Sequence, residues 1–151
     1  MGVSSGDMGQ HVLVPVDGSD HSEKAFEHAL DELPEAEITL LHVVNPVSSF
    51  SYGGDDYFDA EGYQKHVERQ REEGETLLEG YRETAAERGI EVETVLETGR
   101  PPREILETIE AEDVDRVVMG SRGRSGVGRV LFGSVAETVT RRAPVPVTIV
   151  R

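Results

Sequence analysis

The sequence predicts an α/β protein, with a doubly wound, mainly parallel sheet of five strands and helices on both faces. Short apolar stretches rich in β-branched residues alternate five times along the chain with segments of helical period. Start signals for helices follow several of these stretches. Such alternation builds a parallel sheet with right-handed crossovers, because each helix returns the chain to the same end of the sheet.

The first half of the chain is predicted to contain two strands with a helix between them. His11 to Val16 is predicted as a buried strand, and Ile38 to Val44 as the next one. Asp20, with Glu23 three residues later, predicts a capping-box start for the helix between them, which stops at Pro34. The apolar face of this helix comprises Ala25, Phe26, Ala29, Leu30 and Leu33.

A polar and aromatic stretch, residues 47–62, is predicted as a long loop. A second helix is expected from Tyr63 to Ala85, capped at Gly89, and a third strand from Ile90 to Leu96. Pro101 suits the start of a third helix. The apolar face of that helix is predicted to comprise Ile105, Leu106, Ile109 and Val114.

The last third of the chain predicts two strands separated by a glycine-rich loop and a helix. Arg116 to Met119 is the fourth strand, and Ser134 begins the helix after the loop. Val145 to Val150 is the fifth strand. Because proline cannot donate a hydrogen bond to a central ladder, Pro146 predicts that this strand lies at an edge of the sheet.

Composition narrows the class of protein. The 151 residues fit one domain, residues 11–151, after a flexible tail, residues 1–10. Thirty acidic and fifteen basic residues give a net charge of −15, which argues against general nucleic-acid binding. Such an acidic composition is typical of halophilic proteins. The chain has no cysteine and no apolar run of membrane-spanning length, so a cytoplasmic protein without membrane contacts is expected.

The loop from Gly120 to Ser134 is the main functional signal. It holds five glycines and three arginines, and no acidic residue lies between Arg116 and Ala136. Glycines let backbone N–H groups turn toward a ligand, and a helix N-terminus attracts anions. A basic, glycine-rich segment in so acidic a chain predicts a site for the phosphates of a nucleotide. Neither the Walker A motif nor the G-x-G-x-x-G fingerprint is present.

Asp17 follows the first strand, and Gly120 follows the fourth. Ligands of doubly wound sheets bind beyond the carboxyl ends of strands where the strand order reverses, so both residues are predicted to line one crevice if these strands are neighbours. Asp17 could also cap a turn, or reach a cation on the phosphates.

The glycine-rich loop has the spacing Gly120-x-x-Gly123, nine residues and then Gly133-Ser134. This spacing resembles the nucleotide-binding signature of the universal stress protein family, in its ATP-binding branch. The stretch from Val14 to Ser19 resembles its first strand with its aspartate, and Leu41 to Val44 its second strand. Pro144 to Val150 resembles the closing strand. The resemblance covers nearly all of residues 11–151.

The resemblance implies a role for each matching residue. Asp17 would hold the adenosine, beside the backbone of Pro15 and Val16, and Val43 would face the adenine edge. Met119 and Gly120 would flank the ribose. The residues implied around the phosphates are Ser121, Gly123, Gly133, Ser134 and Val135. Arg122 joins these candidates because of its positive charge in the loop. The ligand would be ATP or another adenine nucleotide, with Mg²⁺ or Mn²⁺ on its phosphates.

Three functions remain open from the sequence. The first is a nucleotide-dependent stress or signalling module, and the second is a slow ATPase or phosphotransferase using the same pocket. The third is an interaction protein whose pocket is empty or holds a different nucleotide. Hydrolysis is expected to be slow or absent, because there is no Walker lysine, and no catalytic residue or metal-ligand motif is assigned.

A homodimer is predicted through the fifth strand, Val145 to Val150. An apolar strand at a sheet edge leaves N–H and C=O groups unpaired, and a second copy can pair with them around a two-fold axis. The family resemblance implies the same dimer. The alternative is a monomer whose edge is blunted by Pro144 and Pro146.

The charge of the chain predicts that salt stabilises it. Acidic groups crowded on a small surface repel one another, and the Debye length shrinks from about 10 Å at 0.1 M salt to about 3 Å at 1 M. The melting temperature should therefore rise between low salt and molar KCl, as followed by circular dichroism. A flat or falling curve would contradict the halophilic interpretation.

Overall fold

The computed structural model describes residues 10–46, 60–122 and 133–151. Its sheet has five strands in the order β3-β2-β1-β4-β5, and every neighbouring pair is parallel. The strands are β1 (His11–Pro15), β2 (Glu37–Val44), β3 (Val92–Thr98), β4 (Arg116–Gly120) and β5 (Val147–Val150). The helices used below are α1 (Asp20–Glu32), α2 (Ala60–Glu87), α3 (Pro101–Ala111) and α4 (Ser134–Arg142). The predicted fold class is confirmed.

A helical layer covers each face of the sheet. On one face α1 and α2 pack through residues such as Phe26, Leu30 and Leu78 against Val12 and Leu40. On the other face α3 and α4 pack through a second cluster. Its buried members are Leu13, Leu41, Ile105, Ile109, Val114, Val117, Met119, Ala136 and Val139. Strands buried on both faces read as the continuous apolar runs seen in the sequence.

The start of α1 differs from the predicted capping box. Ser19, not Asp20, is the N-cap, and its hydroxyl oxygen accepts a hydrogen bond from the Ser22 N–H at 3.2 Å. The short hydroxyl side chain of the residue before the helix reaches this amide, which is the usual geometry of a cap. Asp20 and Glu23 remain favourable as acidic residues near the positive end of the helix.

Two strands begin later than predicted. β3 begins at Val92 rather than Ile90, because the Ile90 N–H closes the end of α2 by donating to the Ala85 carbonyl at 3.0 Å. β5 begins at Val147, so placing Pro146 inside the strand was wrong. The Pro146 carbonyl accepts from the Val117 N–H at 3.0 Å, which leads the chain into the sheet. The predicted edge position of β5 is confirmed.

Two further predictions change around the helices. α2 begins at Ala60, so residues 60–62 are helical, whereas a loop was predicted there. Residues 47–59 of that predicted loop, and residues 1–9 of the predicted tail, lie outside the described residues. Val114 lies beyond the end of α3 rather than on its face, although it is buried in the second cluster. None of the helices in the described ranges combines the length and apolar character that a membrane span requires.

Tyr81 of α2 joins the apolar core to the first turn of α1. Its ring meets Phe26 edge to face, with 4.8 Å between the ring centroids, and its hydroxyl lies 3.3 Å from the Ser22 hydroxyl. Burial raises the pKa of the Tyr81 phenol above 10.0, and the charges of Glu23 and Asp17 raise it further. The phenol is therefore held in its neutral form by the fold.

Alkaline unfolding should report this buried phenol. Because the folded pKa is raised, the stability it represents is present below pH ~10 and is lost as pH rises through the folded value. At pH 8, Tyr81→Phe should lower the free energy of unfolding by about 1 kcal/mol through the lost Ser22 contact. Above pH 10 the gap between variant and wild type should narrow or reverse in urea titrations. A gap that stays constant would contradict the assignment.

Candidate functional site

The strand order reverses between β1 and β4. The chain runs outward from β1 through β2 to β3 and then crosses to β4 and β5 on the other side. β1 and β4 are directly paired, with Val12 opposite Arg116 and Leu13 opposite Val117. The segments that follow these two strands therefore leave the same edge of the sheet, where such folds bind ligands. The condition for one shared crevice, that the first and fourth strands are neighbours, is therefore met.

The turn after β1 is held by hydrogen bonds to the side chains of Asp17 and of Ser22 in α1. The Asp17 carboxylate accepts from the Ser19 N–H at 2.9 Å, and the Asp17 N–H donates to the Ser22 hydroxyl at 3.2 Å. Gly18 has φ +84, a conformation that glycine adopts without strain. Asp17 is half-buried in this turn, so the turn role considered for it in the sequence is present.

The end of β4 meets the start of α1 at very short range. A Cβ added to Gly120 would lie 2.7 Å from both the carbonyl carbon and the carbonyl oxygen of His21. Real Cβ contacts are longer, so this crossing requires glycine. Gly120 also pairs with Val150 in the ladder between β4 and β5. The sequence singled out Gly120 as a possible ligand contact, but gave no sign of this packing role.

Two hydrogen bonds fix both ends of the glycine-rich loop. The Ser121 N–H donates to the Val150 carbonyl at 2.9 Å, and the Gly133 N–H donates to the Ser121 carbonyl at 2.7 Å. Ser121 is buried. The loop therefore leaves β4 and returns to α4 at nearly the same point. Gly123 and the rest of residues 123–132 lie outside the described residues.

Helix α4 begins where the glycine-rich loop ends. Gly133 is its N-cap and has no side chain to cap the helix, and Ser134 is exposed while Val135 is half-buried. The first amides of a helix lack carbonyl partners within it, so they favour an anion. Arg122 lies beside this N-terminus, with its Cα 3.4 Å from a Cβ built on Gly133. Its Nε is buried and finds no hydrogen-bond partner in the described part of the chain.

The other predicted site residues lie at or near the carboxyl ends of β1, β2 and β4, and they differ in how deeply they are buried. Pro15 ends β1, and Val16 is buried directly after it. Met119 is buried at the penultimate position of β4. Val43 lies near the end of β2, on the far side of β1 from β4, and packs on the second cluster. The described candidate residues thus lie at the carboxyl ends of the parallel strands. Val43, on β2, is separated from the glycine-rich loop by β1.

A family model matches residues 8–151, and it is that of the universal stress protein family. The chain belongs to this family. Universal stress protein YxiE of Bacillus subtilis is 37% identical over 144 residues, which cover 93% of this chain and 97% of YxiE. The family identified from the strand and loop motifs is therefore confirmed.

Solved structures show the same fold. Hypothetical protein MJ0577, solved for a structure-based assignment of its biochemical function, has a TM-score of 0.81 and 29% identity, covering 95% of this chain and 96% of its own. A universal stress protein family member from Arabidopsis thaliana, solved with AMP bound, has a TM-score of 0.67 and 22% identity. That match covers 93% of this chain and 90% of the plant protein.

Replacing Gly120 should damage the crossing of β4 and α1. In Gly120→Ala the new methyl group would push against the His21 backbone, and we expect a loss of about 1–3 kcal/mol in the free energy of unfolding. Gly80→Ala is the matched control, because a Cβ on Gly80 meets no atom within 4 Å. In the middle of α2 this control should gain about 0.5–1 kcal/mol. Equal effects in urea titrations would contradict the proposed close contact.

Proposed function

We propose that this universal stress protein binds an adenine nucleotide, with ATP and a Mg²⁺ or Mn²⁺ ion as its ligand, and serves as a nucleotide-dependent stress or signalling module. The observation that supports the proposal best is the meeting of the Asp17 turn, the end of β4 and the N-terminus of α4 at the reversal point of the sheet. The AMP held by the Arabidopsis thaliana family member agrees with this class of ligand.

Charge explains why phosphates would be accepted at this edge of an acidic protein. The helix N-terminus of α4 presents backbone donors and a partial positive charge, and Arg122 adds a full one. The sequence from 117 to 136 contains no acidic residue. Asp17 would then serve the adenosine or the metal ion, because a carboxylate close to the phosphates without a cation would repel them. That the candidate residues contact the nucleotide is part of this proposal.

The proposal favours a binding module over an enzyme. The chain has no lysine after Lys65, so the glycine-rich loop lacks the Walker lysine that assists phosphoryl transfer in many ATPases. Hydrolysis by the same pocket remains the competing function, and it is expected to be slow or absent.

Calorimetric titration in molar KCl tests nucleotide binding. The wild type should bind ATP, ADP or AMP, and added Mg²⁺ should strengthen ATP binding. Asp17→Asn keeps an oxygen for the Ser19 N–H but removes the charge, so we expect affinity for Mg²⁺–ATP to fall about tenfold, as for a lost charged hydrogen bond.

Asp20→Asn provides the matched control for that titration. Asp20 is exposed in the first turn of α1, so the same charge is lost three residues away with little expected effect on affinity. Absence of binding by all three nucleotides would overturn the proposed function. Equal losses in the two variants would show that general charge, and not Asp17 itself, matters.

We also propose that β5 forms the interface of a homodimer. Its residues Val147–Val150 are all half-buried, and within the described ranges β5 has β4 as its one strand neighbour. Its outer edge offers unpaired backbone groups beside apolar side chains. A second copy pairing antiparallel across a two-fold axis would satisfy those groups and bury the valines of both chains.

Sedimentation velocity in molar KCl tests the dimer. The wild type should sediment as a dimer, and Val147→Asp should shift it toward monomer, because the new carboxylate would lie at the interface. Val95→Asp is the control, since Val95 is half-buried on β3 at the opposite edge. Circular dichroism must show both variants folded. A monomeric wild type, or a dimer that survives Val147→Asp, would exclude this interface.

A further inference from the structure

His42 of β2 reaches across to the end of β1. Its ring Nδ1 lies 2.8 Å from the Val16 carbonyl oxygen. A carbonyl oxygen can only accept a hydrogen bond, so Nδ1 carries the proton and donates it to Val16. In the neutral ring Nε2 is then the unprotonated nitrogen. From the sequence, His42 is predicted only to lie within the second strand.

The contact completes the fixation of the turn after β1. The Val16 N–H donates to the Leu41 carbonyl at 2.8 Å, so with His42 both backbone polar groups of Val16 are bound by β2. Asp17 follows directly, with its N–H on the Ser22 hydroxyl and its carboxylate on the Ser19 N–H. The direction in which Asp17 leaves the sheet therefore depends on the Val16 carbonyl being held.

A glycine of α2 leaves room for the ring. A Cβ added to Gly74 would lie 2.8 Å from Cδ2 of His42 and 2.9 Å from Cδ1 of Leu96. Gly74 is itself buried, within a long helix where glycine is unfavourable. The ring is thus confined between the end of β1 and the backbone of α2, and any side chain at position 74 would press on it.

We propose that His42 is a positioning residue for the nucleotide site, holding the Val16 carbonyl so that the Asp17 turn is preformed, and that Gly74 is required to seat its ring. This inference rests on the proposed nucleotide binding. His42 acts through Val16 and needs no contact with the ligand. A turn fixed before binding avoids the ordering cost that a loose turn would add to the dissociation constant.

Two substitutions of His42 separate its hydrogen bond from its bulk. In His42→Asn the side-chain amide nitrogen lies the same number of bonds from Cα as Nδ1, so it can still donate to Val16. In His42→Gln it lies one bond further out. We expect His42→Gln to raise the dissociation constant for Mg²⁺–ATP about tenfold, and His42→Asn to stay within about threefold of wild type. Both should lower the melting temperature, because both lose the ring.

This split between affinity and stability is the decisive readout. A purely structural ring would make affinity follow melting temperature, so equal losses of affinity in the Asn and Gln variants would overturn the positioning role. Unchanged affinity in both would overturn it as well.

The role of Gly74 is tested by a double-mutant cycle. Gly74→Ala should weaken Mg²⁺–ATP binding and lower the melting temperature in the wild type, whereas Gly80→Ala on the same helix should do neither. In the His42→Ala background the ring is gone, so Gly74→Ala should cause a clearly smaller loss of stability. Additive effects would show that the two positions are not coupled.

Two measurements without nucleotide distinguish failure of this inference from failure of the proposed function. Nitrogen-15 shifts of the neutral His42 ring should show a protonated Nδ1, and the opposite tautomer would overturn the hydrogen bond. Amide hydrogen exchange at Asp17, Gly18 and Ser19 should accelerate in His42→Gln and much less in His42→Asn. If wild type binds no nucleotide, the proposed function fails, while equal exchange in all variants would refute the positioning role.

Discussion

The direct pairing of β1 with β4 is the constraint on which the rest of the structure depends. It places the strand-order reversal at the centre of the sheet, so the chain leaves both strands at a common edge. The crossing is tight enough that α1 starts against the backbone of Gly120. Had β4 been added outside β3, Asp17 and the glycine-rich loop would lie on strands separated by the width of the sheet. The candidate site is therefore a product of strand order before it is a product of side chains.

Much of the fold could be predicted from the sequence, because its signals are local. Apolar runs such as Val12 to Val14 and Val117 to Met119 mark strands that are buried on both faces. Pro146 indicated the edge strand correctly, although it precedes β5 rather than lying within it. Boundaries were less accurate where tertiary contacts decide them. The N–H of Ile90 closes α2 instead of starting β3, and no local pattern encodes that choice.

The loop residues of the candidate site could be predicted from the sequence, but the residues that hold the Asp17 turn in place could not. The sequence points to Gly120, Gly133 and Ser134 because glycines before a helix start are a local motif, and their contact with a ligand stays a prediction. His42 lies 26 residues from Val16 in the chain, and Gly74 lies on a helix that is remote from both in sequence. Their contact exists only because β2 and α2 pack at the end of β1. A histidine in a strand and a glycine in a helix carry no sign of this relation when each is taken alone.

The outer edge of β3 affects how many copies of this chain could associate through their sheets. Thr94 and Thr98 accept hydrogen bonds from Arg82 and Arg71 of α2, which ties the edge strand to its covering helix. Glu93 and Glu97 are exposed between and beside them. Two copies meeting along this strand would bring like charges into opposition, which destabilises a cross-strand pair. Sheets that could extend at both edges would polymerise into fibres, whereas this one discourages growth at β3, so that association at β5 alone would end with a closed pair.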